Sequence, residues 1–589
     1  MTSSSTQTRR PTSTYTTRGT IGMASLCAAL IATGNVISEV YRDPPLSSVD
    51  PTAPGAVSYL AHHIIVFLVA GIASFLLFRL WDSCTGKESP SALRWRSRLS
   101  RTRFFVIGAF VLALPWLCWA IAHFPGTMRD DTFAQLFQYR GAVGYYSQHP
   151  VLDTLVFGFF WDLGSSLGNA AIGLFVFILI QIVLTSCSIS LCVTHVREQG
   201  FPEMASWAVL IIAALSRAFY QPVDTMSKDA LNGWLFVLAF YCYLRTLTSD
   251  GDWLASRTRN LIATVVATTL CITTKRTMLY VFAASYLIVA LVWVFSRKAR
   301  PHARKALVAS VLVATGSLAL SLCVISPLLN STLDVAQNKT YEMYSVPEQQ
   351  VIGTLRAHPD ALSASELADL NQVMDVSRAL ETYNPHRSDE VSATMRPDAQ
   401  TETLLRIWLE LGAKHPGSYF SAYARLASGW MSLNDSLNYA HEVESDLLTP
   451  ARVEAWSSFF SGDQDAVLAF FDDADFTLPE SLSGFNELLE GFDTWQVTDL
   501  PLLSSYGLFC FALPLDVLVY LIGRRRGTSF LALLPYLILP ASLAVGPIAL
   551  YWYSIPSVYA TPLALGSTGL SAGVDASPES GSRPRHLAA

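Results

Sequence analysis

Apolar runs close to twenty residues long recur along this chain, separated by short polar stretches. About twelve can be marked, at roughly 19–40, 57–81, 103–124, 169–194, 204–220, 230–247, 260–274, 278–296, 306–329, 501–523, 528–548 and 549–567. A helix of that length crosses a bilayer core of roughly 30 Å. The pair 260–274 and 278–296 is the least clear, because its first member is short and Lys275-Arg276 divides the two. The run 151–168 is apolar but short and carries Asp153 and Asp162, which suits a helix lying in the interface. Between 330 and 500 the pattern turns amphipathic. Leu404, Ile407, Trp408 and Leu411 keep helical spacing, as do the aromatic residues from Tyr419 to Trp430. Ser363 to Leu370 looks like a capped helix start, and 462–499 is acidic and aromatic. β signals are sparse.

The expected fold class is therefore α: a polytopic membrane protein with about twelve transmembrane helices and a mostly helical extracytoplasmic domain. Composition agrees. The 589 residues have a mean hydropathy of +0.35 and only 15% charged residues, too apolar for an ordinary soluble chain. The first run has a positive flank (Arg9, Arg10, Arg18) but no clean small-x-small cleavage site, so it is taken as an uncleaved helix. The 330–500 segment has no cysteine and hence no disulfide framework, and no Cys/His metal spacing appears. Net charge is −6 with no basic patch, which argues against nucleic acid as a partner.

Charge then sets the topology. Loop 82–102 carries Lys87, Arg94, Arg96, Arg98 and Arg101; loop 297–305 carries Arg297, Lys298, Arg300, Arg304 and Lys305; loop 524–526 is three arginines. The positive-inside rule puts all three in the cytoplasm. Both termini are then cytoplasmic in a multi-pass protein of the cell membrane. The expected organisation is a disordered tail 1–18, a membrane domain 19–329 with its first outer loop at 125–168, an outer domain 330–500, membrane helices 501–567 and a disordered tail 568–589.

The candidate chemistry lies in the outer loops. Asp130 and Asp131 stand where the chain leaves an apolar run, and a carboxylate at the membrane boundary needs water or a partner. Such a group can act as general base toward a hydroxyl, while the second of a pair holds a metal, orients the first or binds a sugar. The structural alternative is an N-cap. His149-Pro150 follows, as catalyst or as surface residue and helix start. In the next outer loop Lys228 can neutralise a phosphate while Asp229 caps the following helix, or the two form a solvated pair. Lys275-Arg276 opens a third outer loop, for phosphate binding or for snorkelling to headgroups. Three Asn-x-Ser/Thr sequons (Asn330, Asn338, Asn434) carry no weight.

Two resemblances follow from these residues. The series Pro125-Gly126-x-x-x-x-Asp131-x-x-x-Gln135, Gly141, His149-Pro150 and Lys228-Asp229 resembles the GT-C membrane glycosyltransferases, in particular those of the dolichyl-phosphate-mannose mannosyltransferase type. The outer segment, with Tyr344-Ser345-Val346-Pro347-Glu348-Gln349-Gln350, Tyr383-Asn384-Pro385, Ser388-Asp389 and Lys414-His415-Pro416-Gly417-x-Tyr419, is similar to a bacterial family of membrane proteins known as DUF6020. The resemblance extends over about 103–567. Two departures stand out: Gln148 precedes His149, and Tyr551-Trp552-Tyr553-Ser554-Ile555-Pro556 lacks the Arg-Tyr pair that relatives tend to carry.

The resemblance implies a GT-C fold and an inverting hexosyl or pentosyl transferase. The donor is a polyprenyl-phosphate sugar, and the acceptor is a cell-envelope glycan, lipid or protein. Asp131 is the implied base, with Asp130 as second choice. His149 orients Asp131, binds a sugar hydroxyl or shares a divalent metal ion with it. Lys228, Lys275 and Arg276 bind the donor phosphate; Gln135, Asp229 and His415 are further substrate contacts, His415-Pro416-Gly417 being equally a helix-start turn. No other cofactor is implied. The rival expectations are a lipid or polysaccharide transporter or flippase, and a GT-C-like scaffold without activity. Charges clustered at outer ends and the lack of an internal repeat weigh against transport.

Overall fold

The computed structural model describes residues 17–41, 56–85, 99–295, 301–336, 342–397, 399–433 and 447–569. The tails read as disordered lie outside these, apart from 17, 18, 568 and 569; so do Lys87, Arg94, Arg96, Arg98, Arg297, Lys298, Arg300, Asn338 and Asn434. Among the described residues the chain is all-α apart from one pair of two-residue strands and isolated bridges.

Among the described residues seven helices are long and apolar enough to cross a membrane: Thr17–Val40, Tyr59–Cys84, Arg101–Ala122, Ala170–Glu198, Lys228–Thr248, Arg276–Phe295 and Val308–Thr332. Shorter apolar helices occupy Glu203–Leu215, Leu508–Gly523 and Leu534–Leu543. Several marked runs are thus broken, and local backbone accounts for it. Run 204–220 stops at Ser216, which turns to an extended conformation (ψ 132°). Run 528–548 is divided at Leu533. Helix Thr258–Thr274 has 17 residues, and the chain turns at a single extended residue, Lys275, before Arg276–Phe295 begins. Tyr551–Thr568 forms the centre of the bundle: it contains Pro556 and Pro562 and buries nearly every residue. Tyr59–Cys84 is the opposite case, with Leu68, Ile72 and Leu76 at least half exposed, the outward apolar face that a lipid-facing helix presents.

Close approaches place the short helices. Helix Val151–Ser166 packs on Ala170–Glu198 because Gly164 and Gly173 face each other; a Cβ on Gly173 would collide with the carbonyl of Phe160. Strand β1 (Thr127–Met128) pairs in parallel with β2 (Thr225–Met226), Thr127 opposite Thr225. Their hydroxyls meet at 2.7 Å, which ties the loop after Arg101–Ala122 to the loop before Lys228–Thr248.

The described residues of 330–500 are mostly helical, as the pattern predicts. Ser363 makes a capping box with Glu366, and helix Thr401–Lys414 buries Leu404, Ile407 and Leu411. Its halves belong to different cores. Val351 to Tyr419 build a core of their own, whereas Trp456, Val467 and Phe471 join the main one. There the Trp456 ring lies 3.8 Å from that of Phe133 on helix Asp130–Tyr139, with Phe471 beside both.

A candidate active site where three helix ends meet

Arg129, not an aspartate, is the N-cap residue of helix Asp130–Tyr139, and it makes no side-chain cap bond. Asp130 and Asp131 therefore fill the first helical positions, where the backbone dipole favours negative charge. The N-cap alternative for the pair does not hold. Successive residues on a helix point about 100° apart, and the two carboxylates separate accordingly. Asp130 is 65% exposed, with Arg452 Nε 3.5 Å away. Asp131 turns inward and meets Lys228 Nζ at 2.8 Å.

Lys228 begins helix Lys228–Thr248, whose N-cap is Ser227; its hydroxyl accepts from the amide of Ala230. Asp229 is thus not the cap expected from sequence. It is buried, 2.6 Å from Lys275 Nζ and 3.6 Å from Arg129 Nη1. Cap chemistry explains the swap. Serine at the preceding position already satisfies a free amide, so the aspartate is left to face the interior. Lys228 Nζ also lies 2.9 Å from His149 Nδ1. Burial, then the Lys228 ammonium, holds the imidazole pKa down to about 4. His149 is therefore neutral near pH 7 and accepts from Lys228 through Nδ1. Asp131, although burial opposes its charge, is held well below the usual carboxylate range by Lys228, His149 and Arg129.

A second tier lies behind. Lys275 sits 5.0 Å from the Tyr553 ring, and Arg129 stacks 4.7 Å over Trp552. The aromatic stretch that lacks an arginine of its own thus receives one from the first loop. Arg276 donates to the Ser147 carbonyl and, with His149, Thr273, Ser321 and Asn330, lines a cavity of about 230 Å³. Lys228 is paired with Asp131 as Lys275 is with Asp229, but Lys275 is buried whereas Lys228 is partly accessible and Arg276 exposed, so Lys228 and Arg276 are the cations best placed for an incoming anion.

Gln135 and His415 stand apart from this arrangement. Gln135 is buried and donates to the Thr154 hydroxyl at 3.1 Å, bracing two helices. The His415 ring stacks on His358 at 4.5 Å, and Pro416 opens the next helix, so the helix-start reading describes it.

Three features escaped sequence reasoning. Asp153 is fully buried with neither oxygen hydrogen-bonded, and burial pushes its carboxyl well above the usual range. Its signal was an aspartate inside an apolar helix. His123 donates from both ring nitrogens, to Asp224 at 2.5 Å and to Glu490 at 2.9 Å. Burial lowers its pKa, but these two carboxylates outweigh burial and raise it to about 10. Arg129, first in the Arg129-Asp130-Asp131 run, reaches Asp229 and Trp552.

A divalent ion between Asp131 and His149 fits poorly. The Lys228 ammonium contacts both groups, and a cation in that place would repel a metal ion.

The sequence of a family described as "Family of unknown function (DUF6020)" matches residues 144–444. This is narrower than the 103–567 span, and it includes His149, Lys228, Lys275 and Arg276 but not Asp131. No curated protein and no solved structure matches the chain.

Proposed function

The chain belongs to the DUF6020 family, and from that premise we propose that it is an integral membrane glycosyltransferase of GT-C type. It would move a sugar from a polyprenyl-phosphate donor to a cell-envelope acceptor on the outer membrane face. The observation that carries this reading is the Asp131–Lys228–His149 chain of contacts. It is built from three separate segments at one end of the helices, with Asp131 37% exposed.

The topology supports it. The C-terminal end of Arg101–Ala122, the N-terminal end of Lys228–Thr248 and the 274–276 junction meet at the cluster. At segments that the charge bias assigns to the cytoplasm, Arg524 Nη2 lies 2.6 Å from Asp82. On this reading the seven long helices and the shorter apolar pieces make about twelve passes, both termini are cytoplasmic and 330–500 is extracytoplasmic.

The proposed chemistry is a single displacement. The acceptor hydroxyl oxygen attacks the anomeric carbon, Asp131 takes its proton, and the bond to phosphate oxygen breaks with both electrons leaving on the polyprenyl phosphate. A carboxylate so strongly stabilised by Lys228 is a weak base. A donor phosphate at Lys228 shares that ammonium and thereby restores the basicity of Asp131. Neutral His149 keeps Lys228 oriented, and Arg276 supplies a second cation beside the adjacent cavity.

The test is transfer from a panel of radiolabelled polyprenyl-phosphate sugars by purified protein. Asp131→Asn is expected to lower transfer by about 10²–10⁴-fold, and Asp130→Asn to leave it within a few-fold. Undiminished transfer in Asp131→Asn rejects the mechanism; lipid flipping without transfer by the wild type would instead favour the transporter.

A further inference from the structure

Away from the charged cluster, the described residues contain one group of three metal-ligating side chains whose donor atoms all lie within 4.8 Å of one another: Glu39, His62 and His63. Glu39 stands near the end of helix Thr17–Val40, and the histidines stand in the early turns of Ala56–Thr85. His62 Nε2 is 3.6 Å from Glu39 Oε1, and His63 Nε2 is 3.3 Å from Oε2.

Two observations point to a ligand. The His63 side chain is nine-tenths buried, yet neither ring nitrogen makes a hydrogen bond. An imidazole buried in that way forfeits its water contacts without compensation. Glu39, moreover, is held in place from behind: Asn35 donates to Oε1 at 2.8 Å, and the Asn35 oxygen accepts from the Leu433 amide at 3.0 Å. The Tyr59 ring packs edge-on against His63 at 4.3 Å and fixes its plane. Outer partners that orient a carboxylate and an imidazole are what a metal site requires.

We propose that Glu39, His62 and His63 bind a divalent transition-metal ion, with Zn²⁺ as the best match. Two imidazoles and one carboxylate are a recognised zinc donor set, and bond lengths near 2.0–2.2 Å set donor separations of roughly 3–3.5 Å. The His63–Glu39 distance already meets this, and His62 needs a small inward rotation. Three protein ligands leave a fourth position open. Glu39 and His62 also line a cavity of about 410 Å³, otherwise largely apolar, toward which that position can face. The site is independent of the proposed transferase chemistry and lies outside the segment matched to the family.

The experiment uses the full-length protein in detergent, stripped with EDTA and dialysed against Zn²⁺ or, for its visible absorption, Co²⁺. Metal content is then counted per chain. The expected result is one retained equivalent and a tetrahedral Co²⁺ spectrum in the wild type, both lost in His63→Ala and Glu39→Gln and both kept in Asp131→Asn. Glu39→Gln preserves side-chain size, so it decides the matter if His63→Ala aggregates. A wild type that retains no ion above the buffer blank, or variants that retain as much as the wild type, overturns the proposal.

Discussion

Asp130 and Asp131 are neighbours with the same side chain, and helix geometry gives them different surroundings. One is largely solvated and the other is tied to Lys228. That such neighbours differ was legible only as a resemblance, because charge and spacing treat them alike. His123 shows how much a partner decides. Its folded-state pKa is about 10 against an ordinary 6.5, so its pairing with Asp224 and Glu490 stabilises the fold fully below pH 6.5. That contribution is lost as pH rises from 6.5 toward 10. The unfolding midpoint in detergent should therefore fall across that window, and His123→Gln should flatten the fall. An unchanged slope in the variant would show that other groups set the pH dependence.

Among elements, backbone contact matters more than hydropathy. Helix Val151–Ser166 fitted an interfacial helix by composition, and the structure gives it a definite seat through Gly164 and Gly173. Gly173→Ala should destabilise the protein by about 1–3 kcal/mol, the usual cost of overpacking. Gly316, which has nothing near its missing Cβ, is the control: Gly316→Ala in the same assay should be neutral or stabilising, since glycine inside a helix costs roughly 0.5–1 kcal/mol relative to alanine. Equal losses in both variants would remove the close approach as the cause. Caps were legible only in part: Asp130, Asp131 and Asp229 are not N-caps. The capping box at Ser363 was visible in four residues. Ser227 and Asp229 are comparable cap residues by type, and the helix start at Lys228 gives the role to Ser227.

For the whole molecule, the 330–500 segment is not a single body. Its later part contributes Trp456 and Phe471 to the packing around Phe133, two residues beyond Asp131 on the same helix. Trp456→Ala should cost about 3–5 kcal/mol and reduce transfer, although no charged group of the site is altered. Amide exchange within 345–427 should be unaffected, because that part has a separate core. Faster exchange throughout 345–427 in the variant would mean that the two cores fold as one.

The sequence by itself determined the all-α class, the apolar segments and most helix ends. These follow from periodicity, caps and charge bias, which act within a few turns of backbone. The tertiary structure decided which charges meet. Asp229 takes Lys275 from 46 positions away, and Asp224 takes His123 from 101. Glu39 faces two histidines across a helix pair. Such pairings depend on how helices cross and on which polar groups lose water together, and spacing along one chain records neither.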